Sequence, residues 1–172
     1  MLKSVAGFAI SLTMIAVGSA GCASSSRRTE LPPVGPTTSS RATFASNPYG
    51  LLEVHSATEA NDDGGVLYQL PSSYTIHAPD GKRVMSVVNH VGPNDSSPMA
   101  VQLPAGSYHV FAQSMRYGQV KVPVVISANR LTQVYLDGTD WPNAQGVPDA
   151  ELVRLPDGRV VGRKASPDSP SR

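Results

Sequence analysis

Apolar and polar positions alternate most regularly across Pro98–Gly138, where four short strands are separated by turn residues. Met99, Val101 and Leu103 fall on one side of an extended chain, with Ala100 and Gln102 on the other. Pro104-Ala-Gly106 ends that strand. Tyr108, Val110 and Ala112 then form an inward row, with His109 and Gln113 outward, as far as the corner Arg116-Tyr117-Gly118. Val120, Val122, Val124 and Ile126 form the next row, and Thr132, Val134 and Leu136 line the last strand after the turn Ala128-Asn-Arg130. Pro123 has no N–H to give a neighbour, which predicts that its strand lies at a sheet edge or carries a bulge.

The pattern is looser upstream. Leu51–Ala57 begins the core, and Tyr74–Ala78 alternates as a half-buried strand should. Pro79-Asp-Gly-Lys82 then predicts a tight turn into a partner strand, Arg83–Val91. Thr58–Pro71 reads as a long connection, with a short strand at Val66–Leu70. Gly92–Pro98 reads as a polar loop. No window outside the N-terminal leader has a helical period. About seven short strands with frequent turns predict an all-β chain built as a single antiparallel β-sandwich. Spacing alone does not fix strand order, so an open sheet or small barrel stays open.

The ends of the chain read differently. Met1–Gly21 carries one positive charge, Lys3, then an apolar run from Val5 to Val17 and small residues, the layout of a secretory signal peptide. Ser19-Ala-Gly-Cys22 resembles the lipobox of bacterial lipoproteins, in which the Cys is acylated and becomes the mature N-terminus. Three residues fit, and Ser19 departs from the usual aliphatic residue. Gly18-x-Ala20 also fits ordinary signal-peptidase cleavage, which would leave a soluble protein with a free Cys22. Lipidation is favoured because Cys22 is the only Cys and directly follows the leader. Acyl chains such as palmitate would make the membrane a partner through Cys22, since each buried methylene contributes about 0.8 kcal/mol. By resemblance to Gram-negative sorting, Ala23 in place of Asp favours the outer membrane, facing the periplasm or the cell surface. Residues 22–46 have few large apolar groups and are expected to be a disordered tether spanning roughly 25–30 Å. The domain is expected at 47–138, and a mostly irregular tail at 139–172 with a short hairpin within 151–162 around Asp157-Gly158.

Leu103-Pro-Ala-Gly-Ser-Tyr-His-Val110, the Arg116-Tyr-Gly118 corner and Leu131-Thr-Gln-Val-Tyr-Leu136 together resemble carboxypeptidase-regulatory-like and PEGA-like modules of bacteria. The resemblance covers the second half of the core. It implies a prealbumin-like or Ig-like sandwich and a spacer, adhesion or accessory role without chemistry of its own. Fold analogy does not itself supply function.

Composition narrows the remaining classes. Fourteen Lys and Arg balance 13 Asp and Glu, so the basic face that a nucleic-acid partner requires is not indicated. A single Cys allows neither an internal disulfide nor a multi-cysteine zinc site. Of the four His, none lies in an H-E-x-x-H pattern, and His77 and His109 fall on outward positions. No Gly-x-Ser-x-Gly elbow and no phosphate-binding glycine motif occur, so no catalytic residue and no cofactor is expected. Glu59, Asn61, Asp62 and Asp63, with Gly64 and Gly65, collect oxygen ligands that could suit calcium, though without EF-hand spacing. A solvated acidic turn is the alternative. Tyr49, Tyr68, Tyr117 and Trp141 could form an aromatic platform for carbohydrate or peptidoglycan, with Tyr117 and Trp141 the foremost ligand contacts. The competing expectation for Trp141 is that it folds back on the sandwich as a latch. The leading expectation is a non-enzymatic envelope lipoprotein whose sandwich binds a protein partner or supports a complex. The alternatives are the carbohydrate module and an accessory domain of an envelope enzyme.

Overall fold

The computed structural model describes residues 29–37, 48–90, 92 and 95–166. The leader, Cys22 and the last six residues lie outside them.

Twelve strands form among these residues: β1 (Thr29–Glu30), β2 (Tyr49–His55), β3 (Thr58–Asp63), β4 (Val66–Pro71), β5 (Tyr74–His77), β6 (Arg83–Val87), β7 (Val101–Pro104), β8 (Gly106–Ser114), β9 (Gly118–Ile126), β10 (Leu131–Tyr135), β11 (Leu152–Arg154) and β12 (Val160–Arg163). A five-stranded sheet runs β1-β9-β8-β5-β6 and a three-stranded sheet runs β10-β2-β7. The all-β sandwich predicted by the alternation is present. Most pairings are antiparallel; β1 with β9 and β10 with β2 are parallel.

The inward rows are the ones that a two-residue period selects. Val110, Ala112, Val120, Val122, Val124 and Ile126 from one sheet meet Leu52, Val54, Leu103 and Val134 from the other, all buried in a single core. Thr132 sits in the same layer, and its hydroxyl donates to Val125 O at 2.9 Å, so the polar group is satisfied where it is buried.

Two segments extend the domain beyond the 47–138 expected. The first is 29–37, assigned above to a disordered tether. Leu31 and Val34 are buried in the main core, each contributing roughly 1.5–3 kcal/mol. Backbone bonds hold this strap on both sides. Leu31 N donates to Lys121 O at 3.3 Å, Val34 N to Pro123 O at 2.8 Å and Val125 N to Val34 O at 2.8 Å. On the opposite side Gly35 N donates to Arg163 O at 2.8 Å and Ala165 N to Pro33 O at 3.0 Å. A Cβ on Gly35 would lie 2.5 Å from Ala165 Cα, so this crossing requires glycine. The strap ends at Thr37, whose N–H donates to Leu131 O at 2.9 Å, reaching the second sheet.

The strap also explains Pro123. Between its contacts at Leu31 and Val34 it carries Pro32 and Pro33, beside Pro123 of β9. Three residues without N–H meet where the parallel ladder is interrupted, so no donor is stranded.

The second segment is the tail. The hairpin expected within 151–162 forms as β11 and β12, and it docks: Val153, Leu155 and Val161 belong to the main core. Trp141, Leu152 and Val160 build a satellite cluster on Tyr135. Trp141 N donates to Val160 O at 2.9 Å, Val160 N donates to Asp140 Oδ1 at 2.8 Å and Arg159 Nη1 donates to Gly138 O at 2.6 Å. Between Trp141 and β11 the chain makes only two single 3-10 turns, Pro142–Ala144 and Asp149–Glu151. Among the described residues no helix is long and apolar enough to cross a membrane.

Candidate functional site

The acidic segment is a β-hairpin arm where the sequence reading has a loop. β3 pairs with β4 from Thr58↔Pro71 to Asp63↔Val66, closed by Gly64 and Gly65 with φ of 63° and 90°. Both turn residues being left-handed is the geometry that a two-residue hairpin prefers, and Gly-Gly is the sequence signal that could have revealed it. Strand alternation then splits the oxygen set: Glu59 and Asn61 share one face and Asp62 takes the other. Asp62 Oδ1 accepts from Gly65 N at 2.9 Å, a turn-closing role. Among the described residues no three His, Cys, Asp or Glu side chains converge for a metal ion. The segment is thus a paired arm and not the loop of the sequence reading, with Glu59 and Asn61 on the face opposite Asp62.

Glu59 and Asn61 instead line a cleft of about 290 Å³ at the root of the arm, with Leu70, Pro71, Ser72, Ser73 and His90. A buried polar network holds that root. Asn89 Nδ2 donates to Val54 O at 2.7 Å and to Ser56 Oγ at 3.0 Å. Ser56 Oγ donates to Ser72 O at 2.7 Å, and Met99 N donates to Asn89 Oδ1 at 3.1 Å. Asn89 is fully buried and joins β2, the arm and the segment before β7. His90 Nδ1 lies 3.0 Å from Gly92 O; a carbonyl only accepts, so Nδ1 carries the proton. The cleft thus offers one carboxylate, one amide, hydroxyls and an imidazole, a set suited to hydrogen-bonding a polar or extended ligand.

A second polar group lies on the outer face of β2 and β10. Glu53 Oε1 is 2.8 Å from His55 Nε2, and the His55 ring stacks on Tyr135 with centroids 3.9 Å apart. The His55 ring, 2.8 Å away, holds the Glu53 carboxyl below its ordinary value near 4.5, against the opposing effect of burial. Burial, aided by the charges of Glu53 and Asp137, pushes the Tyr135 phenol up to about 12. Burial and Glu53 likewise raise Tyr74. A carboxyl depressed in the folded state contributes stability above its unfolded value and loses it as pH falls through the folded one. The thermal midpoint of the wild type should therefore exceed that of Glu53→Gln at neutral pH, and the gap should close below about pH 4.5. A gap that stays constant down to pH 3 would remove this role from Glu53.

The aromatic platform does not assemble around Trp141. That ring is 2% exposed, within the satellite cluster, as the latch expectation has it. Tyr117 is half-buried against the main core, Tyr68 is half-buried on the arm and Tyr49 is exposed at the start of β2. Exposed apolar groups gather elsewhere, at Val66 and Leu67 on the arm, at Val84 and Met85 of β6, and at Val88 just after it. Among the described residues β6 is the last strand of its sheet, with one edge unpaired. Sequence reasoning missed both surfaces because outward apolar residues look like core residues until strand order is known.

Comparison with protein-family models, with curated proteins and with solved structures gives no match.

Proposed function

We propose that this chain is a non-enzymatic, lipid-anchored envelope protein whose β-sandwich is a protein-docking module. The observation that carries the docking half of this reading is the pair of β elements without a further partner among the described residues, the β6 edge and the β3–β4 arm, with their exposed Val, Leu and Met side chains. An edge with free backbone groups and apolar side chains is a surface for pairing with another chain. The resemblance to carboxypeptidase-regulatory-like and PEGA-like modules supports a docking or spacer role. The burial of Trp141 makes protein docking the better reading than carbohydrate binding.

The anchoring half rests on the leader and Cys22. If the lipid is on Cys22, the ordered strap beginning at Thr29 leaves only a short connection. At most about 25 Å of extended chain then separates the lipid from the sandwich. The module works close to the membrane surface, and its partner is an envelope protein with domains at that height. Fractionation of cells expressing the full chain tests the reading. The wild type should sediment with membranes and Cys22→Ser should move to the soluble fraction. Both forms soluble would overturn the anchor.

A further inference from the structure

The open edge and the arm are complementary to each other, and this points to a specific partner. Among the described residues β3 and β4 pair only with one another, and a lone two-stranded ribbon is marginal in water. The arm, about 20 Å long, nevertheless exposes Val66 at 52% and Leu67 at 65%. It carries Glu59, Asp62 and Asp63 and no Lys, Arg or His across Thr58–Pro71.

The β6 edge has the opposite charge. Lys82 and Arg83 open it, both exposed, and Asp80 Oδ1 is engaged by Lys82 N at 2.9 Å within the preceding turn. Val84, Met85 and Val88 follow, exposed. Ile76 pairs with Met85 and His77 with Arg83, so Val84 is an extra, bulged residue. A bulge and basic residues are devices that discourage casual pairing at an edge. Here they leave Met85–Val87 as the usable ladder and select for an acidic strand, because like charges oppose one another while opposite charges fix the register.

We propose that the arm of one copy docks along the β6 edge of a second copy, its Asp62 meeting Lys82 and Arg83 and its Val66 and Leu67 covering Met85 and Val88. The proposal rests on the protein-docking reading above and names its partner. Two copies exchanging arms give a closed dimer with the contact made twice; one-way docking gives an open chain of copies.

Two tagged full-length copies co-expressed in cells test it, one carrying Leu67→Cys and the other Val88→Cys. Both positions are exposed, so neither change opens the core. Each variant paired with a wild-type copy controls for the thiol of Cys22. A mixed disulfide should form at least about tenfold above those controls. Asp62→Lys in the arm-bearing copy should reduce it about fivefold or more, and Lys82→Glu with Arg83→Glu in the other copy should restore it. Absence of the mixed disulfide between copies that fractionate as wild type would overturn the proposal. So would a Leu67→Cys copy that links to a different envelope protein instead, an outcome that leaves the general docking function standing.

Discussion

Val34→Asp is expected to detach the strap and to cost on the order of 4 kcal/mol or more. Val34 is wholly buried, bridged to Val124 on one side and to Lys164 on the other. Gly162 packs against it so closely that a Cβ there would lie 2.8 Å from Val34 Cγ1. A carboxylate in that position has lost its water and faces apolar groups, and an unpaired buried charge is among the costliest changes a core can take. The loss is a large fraction of the 5–15 kcal/mol that holds a typical domain together. The effect should reach both ends of the chain, because the strap lies between β9 and β12. Denaturant unfolding should show a lowered midpoint, and limited proteolysis should cut near the strap and in 139–166. An unchanged midpoint would mean that the sandwich closes without the strap.

Trp141→Ala is the second large effect, expected at about 3–5 kcal/mol, the range for removing a buried Trp. It removes the centre of the cluster formed with Tyr135, Leu152 and Val160. For a domain of this size that corresponds to a fall in Tm on the order of 10 °C. Trp141→Phe separates packing from polarity. The indole Nε1 is buried without a hydrogen-bond partner among the described residues, so its loss relieves an uncompensated polar group while the ring contact is largely kept. The Phe variant should lie within about 1 kcal/mol of wild type. If Ala and Phe were equally mild, Trp141 would not be a latch.

The residues that were readable in the sequence are those whose partners are local. Asp80-Gly81 placed the β5–β6 turn, and the rows from Val110 to Val134 fell where strand alternation puts them. Pro123 predicted a sheet edge or a bulge, but β9 lies between β1 and β8 with an unbroken register to β8. The strap is composed of Thr-Glu-Leu-Pro-Pro-Val-Gly-Pro-Thr, a linker composition. It folds because two apolar side chains and a few backbone bonds find β9 and β12, whose sequence positions are remote. No local period encodes such a match. The same holds for Asn89, Ser56 and Ser72. Each is a small polar residue common in loops, and only the fold shows that they lock the root of the arm. The arm was missed for a different reason. Thr58–Asp63 has no apolar alternation, because neither face of that strand is in the core.

The strap joins β9 to β12 and makes residues 29–37 and the β11–β12 hairpin parts of one core. Native-state hydrogen exchange on the full chain tests this most directly, through the amides of Val34, Gly35 and Val125. All three donate across the strap at 2.8 Å. Protection matching that of the β8–β9 pair is the expected result, since these bonds should open only when the core does. Exchange of all three at the rate of an unstructured chain would contradict it.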